Sequence, residues 1–272
     1  MDDSTLKKLQ ELELYLLIKF DEICRDNNLT YFLDSGTALG AVRHGGFIPW
    51  DDDIDVGMPR KDYEHFMEIG QSLLPDNIFL QNRNTEESYK RNAAKLRLKG
   101  TYFHEKGDLK YNHNGIFIDI FPFDYLPDNR LHAKMNIKFV IELFHIVRSK
   151  HRGNVSMSKS LVRRLFYRFI NLLPSAFIDW IEKFSMNYAL KRKNNPSSLM
   201  TCYFWRMSLT NQYLFDTNRM LPVKDCVFAG QIVKIVNDPD YYLSLMYGDY
   251  MKLPPLEKRV AHCNGTIDFG NY

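Results

Sequence analysis

The order of hydrophobic and polar residues predicts an alternation of helices and short strands. Near the N-terminus, apolar residues recur every three or four positions at Leu9, Leu12, Leu16, Phe20 and Ile23, the spacing of an amphipathic helix. Ser4-Thr5 is its predicted N-cap, and Asn27-Asn28 its end. Strands are predicted at 30–33, 78–81, 93–98, 115–123 and 230–236, and helices at 37–42, 59–74 and 239–246. This pattern indicates an α/β (α+β) fold, a small mixed sheet with helices around it.

The middle of the chain has a different pattern, which is helical and basic. Leu161, Leu165, Phe169 and Leu172 are spaced to line one helix face, with Lys159, Arg163, Arg164 and Arg168 on the other faces. The chain is therefore predicted to divide into a core at 1–130, a helical insertion at 131–200 and a C-terminal segment at 201–272 that returns to the core. Basic amphipathic helices either lie in a membrane interface or pack as a subdomain, and the sequence leaves both open.

Charge sharpens this division. The 272 residues carry a net charge of only +3. Residues 131–195 contain thirteen Lys/Arg against Glu142, Asp179 and Glu182, which makes that segment +10 and the remainder −7. No run of about 18 apolar residues and no apolar signal segment is present. We therefore expect a cytoplasmic protein that has no nucleic-acid partner and keeps its four scattered cysteines reduced. Peripheral contact with the inner membrane face is a hypothesis for the basic segment, with a helical subdomain as the alternative.

The densest chemistry lies in a short acidic run: Asp51, Asp52, Asp53 and Asp55. Such crowding of like charges is unfavourable unless a cation compensates. Asp53-Ile54-Asp55-Val56 alternates like a half-buried strand, which predicts that Asp53 and Asp55 share a face. Oxygen ligands of this kind suit Mg²⁺ or Mn²⁺. The alternatives are a solvated acidic loop and an EF-hand loop, and the latter lacks the glycine and glutamate that it requires.

Basic and small residues on both sides of the acidic run are candidate phosphate contacts. The Gly36-Thr37 pair opens a predicted helix, whose N-terminal N–H groups attract phosphate. Arg43 and His44 follow that helix and are candidate substrate contacts, with a solvated loop arginine as the alternative. Lys95 and Arg97 lie on one face of a predicted strand, where they would neutralise phosphate oxygens or, alternatively, face solvent at a sheet edge.

A further carboxylate stands within the most apolar strand of the chain. Asp119 lies in the run Gly115-Ile116-Phe117-Ile118-Asp119-Ile120-Phe121. Burying an aspartate there would be costly unless it is ionised against a metal or another cation. Asp119 is therefore the expected third carboxylate of the site, whereas Asp124 is expected in a turn.

These residues together resemble the LicD family, which includes fukutin-related proteins. The resemblance is carried by Gly36-Thr37, by Leu39 to Pro49, by the Trp50–Asp55 run, by the strand around Asp119, and by Tyr247–Met251 with Pro254-Pro255 and a later His262. It covers residues 1–130 and 225–263. The resemblance implies a nucleotidyltransferase-like fold and a phosphotransferase. It further implies that Asp53, Asp55 and Asp119 are catalytic metal ligands, that Asp119 also acts as the base, and that His262 has a functional role.

The function expected from this resemblance is transfer of a phospho-alcohol, with phosphocholine from CDP-choline favoured. The acceptor would be a hydroxyl of a cell-surface glycan, such as teichoic acid or lipopolysaccharide, or of its lipid-linked precursor, and CMP would leave. A choline group would need an aromatic wall, for which Trp50, Tyr102, Phe103 and Tyr111 are candidates. The rival functions are an Asp-x-Asp glycosyltransferase and a non-enzymatic module that binds glycans or membranes.

Overall fold

The protein was analysed as a computed structural model that describes residues 2–89, 91–103, 112–152, 161–192, 194–203, 214–261 and 266–272. The chain forms two compact units. Residues 1–123 and 215–272 make the first, here called the core unit, and residues 124–214 make the second, the helical unit. Among the described residues, no helix is long and apolar enough to cross a membrane.

Helices and short strands alternate in the core unit. Its helices are α1 (Asp3–Asp26), α2 (Ser35–His44), α3 (Arg60–Leu73), α7 (Thr217–Met220) and α8 (Pro239–Tyr247), with a 3-10 turn at Leu256–Lys258. Its strands are β1 (Phe32–Leu33), β2 (Asp55–Pro59), β3 (Ile78–Gln81), β4 (Ala94–Leu98), β5 (Tyr102–Phe103), β8 (Phe215–Asp216), β9 (Lys224–Phe228), β10 (Gln231–Ile235) and β11 (Ile267–Asp268). Strand β6 (Phe117–Tyr125) begins in this unit. The predicted mixed α/β fold is confirmed.

The central sheet has the strand order β1-β2-β6-β4-β3. Strand β2 runs parallel to β6, while β1 pairs with β2, and β4 pairs with both β6 and β3, in antiparallel fashion. Two further ribbons, β9–β10 and β5–β11, are also antiparallel. Parallel neighbours such as β2 and β6 require a crossover, which α3, β3 and β4 supply. The crossover thereby places Asp55 of β2 and Asp119 of β6 on neighbouring strands, although the two residues are far apart in sequence.

Tight packing holds β2 between its neighbours. Phe32 of β1 and Phe123 of β6 meet edge to face across β2, with ring centroids 4.9 Å apart. Gly57 lies below this pair, and a Cβ there would come within 2.4 Å of the Phe32 ring. Glycine at this position therefore lets two aromatic rings close over the sheet, a packing that a larger residue would prevent.

In its described residues, the helical unit contains α4 (Arg130–Arg152), α5 (Leu161–Leu172), α6 (Ser175–Leu190) and β7 (Leu199–Thr201). Within this unit, the end of β6 pairs with β7, Asp124 opposite Thr201 and Tyr125 opposite Met200. Val147, Ile170, Ile178 and Ile181 form a core shared by the three helices. Helices were predicted in this region, and the structure places them at these bounds.

Three local predictions are corrected. Helix α1 is capped by Asp2, whose carboxylate accepts from the Thr5 amide at 2.8 Å, so Ser4-Thr5 is not the cap. Strand β2 begins at Asp55, which leaves Asp53 in the preceding loop. Asp124 is buried within β6 and is not a turn residue, because β6 continues to Tyr125.

Candidate active site

A row of polar residues crosses the middle of the central sheet. Asp55 of β2 lies opposite Asp119 of β6, and Asp119 lies opposite Lys95 of β4. Lys95 in turn lies opposite Gln81 of β3. Directly paired residues project from the same face of a sheet, so the four side chains share one face. The register of the strands, and not their order in sequence, creates this row.

Lys95 and Asp119 form a buried ion pair. The Lys95 Nζ is 2.8 Å from the Asp119 Oδ2, and both residues are buried. The ammonium also stands 3.2 Å from the centre of the Phe117 ring. A buried charge pair of this kind depends on both members, since removal of one leaves the other uncompensated. Lys95 therefore holds the Asp119 carboxylate in position.

Arg97 lies two residues further along the same face of β4. Its Nε donates to Gln81 Oε1 at 2.7 Å and its Nη1 to the Gly115 carbonyl at 2.8 Å. Because β4 lies between β6 and β3 and both cations are buried, the alternative of a solvent-facing pair at a sheet edge is excluded. These contacts show Arg97 bracing the sheet beside the row.

Three consecutive aspartates gather in the loop before β2. Each of Asp51, Asp52 and Asp53 offers a carboxylate oxygen, and these oxygens lie within 4.8 Å of one another. A Cβ at Gly36 would come within 2.8 Å of Asp51 Oδ2, so the glycine lets α2 approach the cluster closely. The loop is tied to α1 as well, because the Gln10 side-chain amide donates to the Asp51 carbonyl at 2.8 Å.

Electrostatics link this cluster to the row across the sheet. Burial raises the pKa of Asp55 well above its usual value, and the neighbouring charges of Asp53 and Asp119 raise it further. Glu13 of α1 is fully buried, and burial together with Asp53, Asp52 and Asp51 raises its pKa as well. Among the residues that the structure describes, neither Glu13 oxygen has a hydrogen-bond partner. This concentration of negative charge favours a cation.

The N-terminus of α2 is held between the sheet and α8. Asp34 accepts from the Ser35 amide at 2.9 Å and from the Tyr242 hydroxyl, and burial raises the pKa of Asp34 to about 7. Thr37 places its Oγ1 2.8 Å from the Asp55 amide, which donates to it. The Gly36-Thr37 pair is thus adjacent to both acidic groups, and its threonine anchors the first residue of β2.

The end of α2 meets the C-terminal segment. Arg43 donates from Nη1 to the Tyr250 carbonyl at 2.7 Å and from Nε to His44 Nε2 at 3.0 Å. Partial burial lowers the pKa of Arg43, and the pKa of His44 is lowered by burial and by Arg43. The pKa of Tyr247 is raised, first by burial and then by the charges of Asp34 and Asp55.

The aromatic candidates separate in the structure. Trp50 lies 5.4 Å from the Arg259 guanidinium and 6.4 Å from the His44 ring, at the site. Phe103 is buried and stacks on Phe117, and Tyr102 is exposed on β5. Tyr111 and His262 lie outside the described residues, so the predictions for them stay predictions.

Sequence reasoning missed several residues near the site. Glu13 occupies the buried stripe of α1, four residues after Leu9 and three before Leu16, where a carboxylate interrupts the apolar pattern. That interruption was the available signal. The hydrogen bond from Tyr242 to Asp34 joins residues 208 positions apart, and no local pattern announces it.

The donor set suits a hard divalent cation. It consists of carboxylates, with the buried and unpartnered Glu13 oxygens beside them. Mg²⁺ and Mn²⁺ prefer oxygen ligands of this type. The carboxylate cluster is therefore compatible with a divalent cation, and both the ion and its individual ligands stay predictions.

Family comparison supplies the context for this geometry. Residues 28–168 match the model of the LicD/FKTN/FKRP nucleotidyltransferase domain, and this span contains α2, the acidic loop and the strands β2, β4 and β6. The chain belongs to the LicD family. The resemblance read from the sequence motifs is thereby confirmed.

Curated relatives of this LicD-family chain include transferases. This chain is 28% identical over 275 residues to the lipopolysaccharide cholinephosphotransferase LicD of Haemophilus influenzae, and the match covers 96% of this chain and 97% of that protein. An uncharacterized Rickettsia typhi protein is 36% identical over 244 residues, with 87% and 68% covered. Human ribitol 5-phosphate transferase FKRP is 37% identical over 57 residues, which is 21% of this chain and 11% of that protein.

Proposed function

We propose that this protein is a metal-dependent transferase that moves phosphocholine from CDP-choline to a hydroxyl of a cell-surface glycan or of its lipid-linked precursor. The observation that carries the proposal is the row Asp55–Asp119–Lys95 beside the Asp51–Asp53 cluster. Similarity to a cholinephosphotransferase over nearly the whole of both chains supports choline as the alcohol. The proposed enzyme works at the inner face of the membrane, where a lipid-linked acceptor would be found.

The proposed ligands of Mg²⁺ or Mn²⁺ are Asp53, Asp55 and Asp119. When bound, the ion would neutralise the donor diphosphate and the negative charge that develops on it. Burial and neighbouring carboxylates raise the pKa of Asp55 and so disfavour its anion. A bound cation would offset this effect and favour the ionised carboxylate, which is consistent with the proposed role. Lys95 keeps Asp119 oriented through the 2.8 Å ion pair.

The remaining groups bind and orient the donor and acceptor. In the proposed complex, backbone N–H groups at Gly36-Thr37 hold phosphate oxygens at the start of α2. Arg43 and His44 contact the donor at the other end of that helix, while Lys95 and Arg97 contribute positive charge from the sheet. His262 is assigned to substrate binding by its position in the family motif.

In the proposed reaction, the acceptor oxygen forms a bond to the phosphorus that carries choline. The bond from that phosphorus to the oxygen bridging the two phosphates breaks, and CMP departs with that oxygen. Asp119 accepts the proton of the acceptor hydroxyl. Placement and charge neutralisation contribute most of the rate in phosphoryl transfer, which fits a site built from fixed charges.

The direct test is CMP release. Purified protein is incubated with Mg²⁺, a glycan or lipid-linked glycan acceptor, and either CDP-choline, CDP-ethanolamine, CDP-ribitol or a nucleotide sugar. We expect acceptor-dependent CMP release with CDP-choline, lost on chelation of the metal. Release with a different CDP-alcohol alone would overturn the choline assignment, and turnover of a nucleotide sugar alone would identify a glycosyltransferase. No turnover of any donor would favour a binding module.

A further inference from the structure

Besides its buried core, the helical unit has large apolar side chains that are exposed on its surface. On α6, Phe177, Trp180, Phe184 and Tyr188 follow one another at spacings of three and four residues, and all are exposed. Their rings are stacked in succession, with centroids 5.7, 5.5 and 6.3 Å apart. Ile178, Ile181 and Ser185 fill the adjacent, buried face of the same helix. The aromatic residues are therefore additional to the core of the unit.

Helix α4 extends this surface. The Phe139 ring meets Phe184 at 6.3 Å and Tyr188 at 5.3 Å, so the exposed residues of the two helices are contiguous. Leu131 and Met135 precede Phe139 by eight and four residues on the same helix face, and both are exposed. Together these seven residues form what is here called the aromatic patch: Leu131, Met135, Phe139, Phe177, Trp180, Phe184 and Tyr188.

Helix α5 behaves in the same way. Three of the four residues in the stripe that the sequence predicted, Leu165, Phe169 and Leu172, are exposed, and Leu172 reaches 83% exposure. The neighbouring Ile170 supplies the buried contact to the rest of the unit. A stripe that served only to pack a subdomain would be buried. Exposed apolar clusters of this extent mark contact surfaces.

The charge of the helical unit selects the kind of contact. Residues 124–214 contain fifteen Lys/Arg and five Asp/Glu, a net charge of +10, whereas the rest of the chain is −7. Lys134 and Lys138 are exposed next to Met135 and Phe139, and Lys191 is exposed beyond the end of α6. Aromatic rings flanked by long cationic side chains match the boundary between lipid headgroups and acyl chains.

We infer that the aromatic patch and its flanking lysines dock the helical unit onto an anionic membrane surface. This inference deepens the proposed function, because it names the surface that would bring the enzyme to a lipid-linked acceptor. A second copy of this chain is a poorer occupant, since two faces of a +10 unit would repel each other. An anionic lipid surface supplies the complementary charge and an apolar layer for the rings.

The test is flotation of the full-length protein with vesicles, which needs neither donor nor acceptor and so fails independently of the proposed reaction. Vesicles of phosphatidylcholine alone are compared with vesicles that also contain phosphatidylglycerol, at low and high salt. We expect binding to the anionic vesicles that weakens as salt rises. Equal binding of the native protein to both vesicle types, or none to either, overturns the inference.

Two variants separate the rings from the charges. Phe177→Gln, Trp180→Gln and Phe184→Gln together keep good helix formers while removing the rings, and should weaken binding at least roughly tenfold. Lys134→Gln, Lys138→Gln and Lys191→Gln together should weaken binding to anionic vesicles roughly a hundredfold and leave any weak binding to neutral vesicles unchanged. Trp180→Gln alone, a smaller change, should give an intermediate loss.

Matched controls come from exposed residues of the core unit. Val227→Thr, Ile232→Thr and Leu256→Gln make three exposed apolar side chains polar, and Lys7→Gln, Lys61→Gln and Lys252→Gln remove three exposed charges. Both control sets should bind as the native protein does. The inference is overturned if the control variants lose as much vesicle binding as the patch variants. It is also overturned if sedimentation shows that the native protein is a dimer and that the three ring substitutions convert it to a monomer.

Discussion

The two units differ in which side chains they bury and which they expose. In the core unit, charged groups are buried: Glu13, Asp34, Asp51, Asp52, Lys95, Arg97 and Asp119 are all at most 8% exposed. In the helical unit, large apolar side chains such as Trp180 and Leu172 are exposed. Each arrangement costs stability in isolation, since burying charge requires a compensating partner and exposing apolar surface forgoes its transfer from water.

The difference is consistent with the two proposed ligands, a divalent cation for the core unit and an anionic lipid surface for the helical unit. In the core unit, burial and the charges of neighbouring carboxylates disfavour the Asp55 anion, so a bound cation would stabilise the site. In the helical unit, the exposed rings leave apolar surface in contact with water, and the proposed lipid surface would cover it. The sign of the charge in each unit matches its proposed ligand. Substitution of a buried charged residue in the core unit should therefore have a much larger effect on activity or stability than substitution of an exposed ring in the helical unit.

The largest expected effect is in the core unit. Asp55→Asn should reduce transfer at least ~10³-fold, because it removes a proposed metal ligand and the charge stabilisation of about 4 kcal/mol that depends on it. Initial rates of CMP release measure this. Without metal the variant should be no less stable than the native protein, since burial and the charges of Asp53 and Asp119 disfavour the Asp55 anion.

The control for this experiment is Asp26→Asn at the exposed end of α1, which should retain native activity. Binding of Mn²⁺, followed by its relaxation or electron-spin signal, gives a readout that does not depend on turnover. Native Mn²⁺ affinity in Asp55→Asn would remove this residue from the metal site even if activity were lost.

The next effect concerns the buried ion pair. Lys95→Met should lower the free energy of unfolding by about 3–5 kcal/mol, because it strands the buried Asp119 without its partner. Urea unfolding measures the change. Adding Asp119→Asn to Lys95→Met should recover part of that stability, since the uncompensated charge is then gone. A loss of under ~1 kcal/mol would mean that the pair behaves like a solvated one and that the contrast between the units is weaker.

A smaller, pH-dependent effect is expected at Glu13. A carboxyl whose pKa is higher in the folded than in the unfolded chain holds more protons when folded, so stability falls as pH rises above its ordinary value of 4.5. Glu13→Gln should abolish that fall. In chelator, its advantage over the native protein should grow by about 1–3 kcal/mol between mildly acidic and mildly basic pH.

Thermal or urea unfolding across pH measures this difference, and Glu11→Gln, an exposed neighbour on the same helix, is the matched control. Mn²⁺ should stabilise the native protein more than Glu13→Gln, because the cation offsets the buried acid only where the acid is present. Parallel pH profiles for native protein and Glu13→Gln would show that the buried carboxyl does not contribute to the electrostatics of the site.

Much of the core unit could be predicted from sequence because its signals are local. The alternation around Lys95 and Arg97 predicts β4, and the apolar run around Asp119 predicts β6, to within a residue or two. What could not be predicted is strand register. Only the pairing of β2 with β6 and of β6 with β4 brings Asp55, Asp119 and Lys95 into one row.

Exposure was the harder property in the helical unit. The spacing of Leu165, Phe169 and Leu172 is that of an amphipathic helix, and periodicity alone does not tell whether an apolar stripe faces a core or solvent. The structure shows that the buried contact comes from Ile170, next to the stripe. Which face packs depends on α4 and α6, whose positions no pattern within α5 encodes.

The smallest expected effect is on the free energy of unfolding of the helical unit, and it is measured by comparing substitutions at two adjacent residues of α5. Phe169→Gln should change the free energy of unfolding by no more than about 0.5 kcal/mol, because its ring is exposed and glutamine is a good helix former. Ile170→Ala should cost about 2–5 kcal/mol, since that side chain fills the core formed with Val147, Ile178 and Ile181. Urea unfolding of both variants measures the contrast. Should Phe169→Gln prove as costly as Ile170→Ala, the ring would be part of the packed interior, and the helical unit would bury its apolar stripes as the core unit buries its own.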